Sequence, residues 1–268
     1  MIRVLFLGEI VGRPGIATLK KELATLKKDF DIDYTIANAE GCTNGFGLGV
    51  AHSIQLSKLG IDLLTGGEKI FYKPDMVEFI NKSSFILRPM NFPPASPGKC
   101  FKNVNIKGKD LLIINIIGES GLTRLSVNNP FVAIDSFLKK VSNETVVLVC
   151  FHAAMSAEKA TMMHYLDGRV SSVIGTHTKV LTADAKITDK STAYITDTGR
   201  VGSLMSVGGL DPDIEINKFK SQIPTRSKEC WRDCVLQGVV VDIDEVSGKT
   251  VGITPINKRV NVEEPRER

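Results

Sequence analysis

The feature that most narrows the folds open to this chain is an alternation. Short runs rich in Val, Ile and Leu are separated by amphipathic stretches of helical length. Strand-like runs fall at residues 3–7, 34–37, 63–65, 111–117, 145–151, 172–175, 193–196 and 236–243. Helical periodicity marks 15–28, 49–59, 73–82, 130–141, 157–165 and 212–222. A chain that keeps switching between the two periods buries its strands in sheet and covers the sheet with helices, so an α/β fold is expected. Gly, Pro and Asn crowd 91–98, which marks a loop. No internal repeat or low-complexity linker divides the chain. It is expected to form one domain over 1–256, followed by a polar, frayed tail over 257–268.

Composition removes several function classes. The longest apolar runs, 111–117 and 146–151, are far short of the roughly 18 residues that a membrane span needs. A net charge of +4 is too mild to argue for nucleic acid. The five cysteines are odd in number and scattered, and the Cys230–Cys234 spacing has no second pair to make a zinc site. With no export signal behind Met1, a reduced cytoplasmic setting is expected.

The residues that suggest chemistry stand just beyond the strand-like runs. Glu9, Glu40 and Glu68 follow the first three, and His152 and His177 follow the runs that end at 151 and 175. In sheets of parallel strands, loops beyond the carboxyl ends line one crevice, so these side chains would converge. Mixed oxygen and nitrogen donors suit Mn, Fe or Zn better than Ca or Mg. A plainer reading stands beside this one. A carboxylate after a strand often caps the next helix, and a lone histidine there is often only a hydrogen-bonded loop residue.

Ordered motifs extend along the chain: Leu5-Phe6-Leu7-Gly8-Glu9-Ile10-Val11-Gly12-Arg13-Pro14-Gly15, Arg88-Pro89-Met90-Asn91-Phe92-Pro93 and Ser96-Pro97-Gly98-Lys99. Phe151-His152-Ala153, Asp167-Gly168-Arg169, Gly175-Thr176-His177-Thr178 and Tyr194-Ile195-Thr196-Asp197-Thr198-Gly199 follow. Through these the sequence resembles the YmdB-like branch of the calcineurin-like metallophosphoesterases. The resemblance implies an αββα sandwich of two facing mixed sheets flanked by helices. It also implies a dinuclear metal centre that hydrolyses phosphodiesters, 2′,3′-cyclic nucleotides among them. Relatives of this kind tend to be homo-oligomers, and apolar residues near Met162 and Met163 would permit self-association.

Carried over position by position, the family's site is altered. Its first-strand Asp is Glu9, its bridging Glu is Glu40, and the adjacent Asn is Gly41. Its Gly-Asn-His becomes Gly67-Glu68-Lys69, so an amide ligand is now a carboxylate and the catalytic His is a lysine. The Glu two residues past His152 is Ala154, and of the last two histidines one is kept as His177 while the other is Lys179. One metal position thus reads Glu9, Glu40, Gly41 and Lys179. A protonated lysine has no lone pair to bind a cation, and its charge could satisfy Glu9 or Glu40 instead. The other position reads Glu40, Glu68, His152 and His177, a set able to hold one Mn, Fe or Zn ion.

Two readings stay open. In the first, a mononuclear phosphodiesterase of weak activity uses Lys69 or Lys179 to stabilise phosphate. In the second, salt bridges such as Glu9–Lys179 and Glu68–Lys69 close a metal-free pocket in a silent scaffold or sensor of a small phosphorylated ligand. Asn91 and Asn44 are candidate pocket residues. His52 is expected at the surface and His164 in a packing or interface role.

Overall fold

The computed structural model describes residues 1–122 and 126–265. The amino-terminal half supplies β1 (Ile2–Leu7), β2 (Glu9–Ile10), α1 (Gly12–Asp29), β3 (Tyr34–Asn38), α2 (Val50–Lys58), β4 (Leu63–Thr65), α3 (Pro74–Lys82) and β5 (Ile86–Leu87). Then come β6 (Phe101–Ile106), β7 (Lys109–Ile117), α4 (Pro130–Leu138), β8 (Val146–His152), α5 (Ser156–Leu166), β9 (Ser172–Thr176), β10 (Lys186–Ile187) and β11 (Ala193–Ile195). The chain closes with β12 (Arg200–Ser203), α6 (Pro212–Ser221), β13 (Cys234–Ile243) and β14 (Thr250–Val260). One sheet runs β2-β12-β13-β1-β3-β4-β5, with β14 also paired to β13, and the other runs β10-β11-β9-β8-β7-β6.

Side-chain alternation builds the layers. On β1, Val4 and Phe6 pack toward Leu111, Ile113, Leu148 and Ile174 of the second sheet. Leu5 and Leu7 pack on the opposite side with Leu19, Leu23 and Leu26 of α1. The outer face of the second sheet, including Ile114, Ile116, Val147 and Val149, is covered by Met162, Met163 and Leu166 of α5. The order helix–sheet–sheet–helix is therefore the expected αββα sandwich. Met162 and Met163 are buried in this layer and are not the exposed self-association surface that the sequence suggested. Among the described residues no helix is long and apolar enough to cross a membrane.

The eight strand-like runs and six helical stretches all have counterparts in the fold. The strands that periodicity missed are short or lie at an edge. β6 alternates between exposed and half-buried residues. β14 is the larger correction, because the expected frayed tail from 257 is ordered strand as far as Val260, which pairs with Cys234. Its polar sequence gains its conformation from the neighbouring strand rather than from local preference.

Strands β1, β3, β4 and β5 run parallel, as do β7, β8, β9 and β11. The loops after β3 and β4 meet the ends of β8 and β9 at one edge of the sandwich, where Asn38 touches His152 and Thr176.

Candidate metal and phosphate site

The site is assembled from β3 outward. Asn38 Oδ1 accepts the Glu40 backbone N–H at 3.0 Å, which settles the direction of its amide. Its Nδ2 faces His152 Nδ1 at 3.1 Å and Thr176 Oγ1 at 3.2 Å. Thr176 Oγ1 is itself 3.0 Å from His152 Nδ1, so the imidazole is held on one side while Nε2 meets Glu68 Oε2 at 2.9 Å. His177 Nδ1 approaches the same Nε2 at 3.1 Å. One ligand atom each from Glu68, His152 and His177 lies within 4.8 Å of the others. Gly67 is required beside them, since a Cβ there would stand 2.4 Å from His152 Nε2.

Glu40 does not join this group, contrary to the expected four-ligand set. Its Oε2 accepts the Gly67 N–H at 2.5 Å, and its Oε1 accepts the Lys69 N–H. Glu40 therefore braces the loop that carries Glu68. Across the site, Lys179 Nζ lies 3.2 Å from Glu9 Oε1, and Glu9 is buried. No hydrogen bond is aligned on that oxygen, so the contact is an ion pair of charge rather than of direction. A Cβ on Gly41 would stand 2.6 Å from Glu9 Oε1, so the longer carboxylate arm fills the space that a side chain at 41 would need.

The charges settle who holds protons. Burial pushes the Glu40 carboxyl up to about 7, against the pull of His152. Burial would raise Glu68 as well, but its hydrogen bond to His152 and the Lys69 ammonium hold it well below the usual carboxylate range. His152 moves up: burial opposes its charge, and the Glu68 carboxylate outweighs it. Burial and the neighbouring His152 pull His177 down to about 3, which leaves it neutral with one ring nitrogen able to offer its lone pair to a cation. Burial lowers Lys69, but Glu68, 2.6 Å away, and Glu40 raise it above the ordinary lysine value.

One carboxylate and two imidazoles are the donor set of an open, three-ligand metal site, and the arrangement fits one divalent transition ion. Where the resemblance implies a second ion, Glu9 is already paired with the Lys179 ammonium and Gly41 has no side chain, so these three residues offer no such set.

Several supporting residues escaped the sequence reading. His177 and Lys179 both adopt left-handed backbone, with φ of 108° and 61°. Such strain persists only where the surroundings enforce it. Here Asp197 Oδ2 accepts the Thr178 N–H at 2.9 Å and pairs with the buried Lys159 ammonium at 2.8 Å. Asn38 could have been found, since it closes β3 two residues before Glu40. Asn38→Ala is expected to weaken Mn²⁺ affinity by about tenfold, as loss of a ligand's outer partner does; calorimetric titration checks it.

Other assignments change. Asn91 is buried and points away from chemistry: Nδ2 donates to the Ile117 and Asn128 carbonyls, and Oδ1 accepts the Ile117 N–H. It braces a loop. Asn44 is exposed, at the rim of a cavity of about 600 Å³ lined by Phe46, Lys73 and Leu210 among others. His52 is half-buried and bonded to Thr43 Oγ1 at 2.8 Å. Burial pushes the Cys42 thiol up, which keeps it an unreactive packing residue.

Two facing sheets with a histidine–carboxylate cluster at their strand ends are the architecture of the calcineurin-like phosphoesterase fold. The YmdB-like protein family matches residues 5–256, and the chain belongs to that family. It is 37% identical over 256 residues to the 2′,3′-cyclic-nucleotide 2′-phosphodiesterase of Bacillus subtilis, covering 95% of this chain and 96% of that one. The crystal structure of a phosphatase from Mycoplasma pneumoniae superposes with a TM-score of 0.91 at 30% identity, over 96% of this chain and 93% of that one. A hypothetical protein from Thermus thermophilus gives 0.90 at 30% identity, over 96% and 99%.

Proposed function

We propose that this chain is a phosphodiesterase that works with a single divalent metal, the second cation of the family's centre being replaced by the Lys179 ammonium. The observation that carries the reading is the pairing of opposites across the site. Glu68, His152 and His177 gather as one ligand group, while Lys179 neutralises Glu9 at 3.2 Å. When bound to that group, a divalent ion supplies Lewis-acid polarisation of a phosphoryl oxygen and orientation of the phosphate. Lys179 adds positive charge on the other side of the phosphate. Lys69 keeps its proton at neutral pH, so it holds a phosphoryl oxygen by charge and releases no proton to a leaving group. The chain therefore favours substrates whose leaving groups need little protonation.

With Mn²⁺ added, the protein is expected to hydrolyse bis(p-nitrophenyl) phosphate with a single ion per chain, and His152→Ala to lose that rate. An unchanged rate in the variant assigns the hydrolysis to a contaminant and ends the reading. Affinity for the ion carries a pH signature. A cation on His152 Nε2 displaces the proton shared with Glu68, so affinity should rise with pH by about tenfold per unit until His152 has lost its raised proton. His177, already neutral above about 3, adds nothing to that slope.

One observation favours a silent, phosphate-binding pocket instead. Lys69 and His152 already satisfy Glu68, and two backbone amides already satisfy Glu40. Under that reading inorganic phosphate binds equally well in EDTA and in Mn²⁺, and no diester is cleaved.

A further inference from the structure

The cavity beside the charge centre has features that phosphate chemistry at the centre leaves unused. It measures about 600 Å³, within the range of small-ligand sites. Phe46 lines it with half of its surface exposed, and Tyr72, also half exposed, leans on that ring at 5.6 Å between centroids. Lys73, Lys218 and Arg226 line it too. Lys218 is paired with Glu215 at 2.6 Å, whereas among the described residues Lys73 and Arg226 have no carboxylate partner.

Two paths join this cavity to the centre. The Lys69 ammonium, 2.6 Å from Glu68, sits over the Phe46 ring at 5.5 Å from its centroid. On the other side, a Cβ at Gly208 would lie 3.9 Å from Lys179 Nζ, and Leu210, two residues on, lines the cavity. A ligand whose phosphate lies between Lys69 and Lys179 therefore has an aromatic face and two unpaired cations within reach of its next groups.

We infer that the cavity is a nucleotide subsite: it takes the base, on Phe46 and Tyr72, and the next phosphate, on Lys73 and Arg226, of a short oligonucleotide one of whose phosphodiester groups lies at the centre. The inference rests on the phosphodiester reading for what occupies the centre. Stacking accounts for an exposed aromatic pair, which tolerates any base, and the cations account for a second negative charge. A lipid or sugar phosphodiester would use the cations and leave the rings idle.

The test is binding without turnover. Fluorescein-labelled adenylyl dinucleotide pApA is titrated in EDTA, with inorganic phosphate and glycerol 3-phosphate as competitors. The dinucleotide should bind, and unlabelled pApA should compete about tenfold better than either small anion. Phe46→Ala should weaken it by about tenfold, Phe46→Trp should retain it, and Arg226→Ala should lower the slope of log affinity against log salt by about 0.7. The subsite is overturned if the dinucleotide does not bind, if glycerol 3-phosphate competes as well as pApA, or if Phe46→Ala binds like wild type. Hydrolysis of bis(p-nitrophenyl) phosphate by the wild-type protein, a substrate with no base, reads the phosphodiesterase function separately. If it is absent while pApA binding keeps its dependence on Phe46, the subsite stands and catalysis does not.

Discussion

Lys69→His is expected to raise turnover of 2′,3′-cyclic AMP by about 10²-fold while changing hydrolysis of bis(p-nitrophenyl) phosphate by less than about threefold. The difference comes from the leaving group. Opening a cyclic nucleotide expels an alkoxide, which needs a proton as the bond breaks, whereas p-nitrophenolate leaves without one. Lys69 is a poor donor of that proton because the carboxylates of Glu68 and Glu40 hold its pKa above the ordinary lysine value. An imidazole at the same place titrates near neutrality and can give its proton up. The loop need not move, since the Lys69 backbone N–H that braces Glu40 is unchanged by the substitution. The gain should appear as a bell in the pH profile of the cyclic substrate, with the acid limb belonging to the groups that must be free and the basic limb to the new histidine. Equal gains on both substrates would mean that Lys69 hinders binding rather than withholding a proton, and the leaving-group argument would fall.

Much of the scaffold was legible in the sequence because its burial is periodic. The Val4/Phe6 and Leu5/Leu7 alternation is written in consecutive residues, and each face finds its own core. Of the strands that escaped, β6 and β14 are the longest; both are made by their neighbours, and no local signal could outweigh a polar sequence such as 257–260. At the site, chemistry that depends on which strand an atom follows was legible: Glu68, His152 and His177 do meet. What depends on direction was not. Glu40 stands at the right strand end, yet its carboxylate turns to the Gly67 and Lys69 amides, a choice set by the course of the next loop. Asn91 likewise sits in a motif loop but spends its amide on backbone. The protonation of Lys69 was undecidable in sequence because it rests on a distance to Glu68 that only the fold supplies.

Replacing Glu9 by Asp, Gly41 by Asn and Lys179 by His together is expected to raise the Mn²⁺ content from one ion per chain to two, whereas Gly41→Asn alone is expected to destabilise the protein. The single change fails on space. Its Cβ would meet Glu9 Oε1 at 2.6 Å, and that oxygen belongs to a buried carboxylate held by Lys179. Overpacking of this kind costs about 1–3 kcal/mol, read as a lower midpoint in urea. Glu9→Asp withdraws the carboxylate by one methylene and should return most of that loss, so the two substitutions are coupled rather than additive. Lys179→His then removes a charge that repels cations and supplies a lone pair in its place. The three substitutions install the residues that the resemblance implies at these positions, and each depends on the one before it. If the triple variant still takes up a single ion, Lys179 is not standing in for a cation. If Gly41→Asn is as stable alone as beside Glu9→Asp, the carboxylate arm does not occupy the space assigned to it.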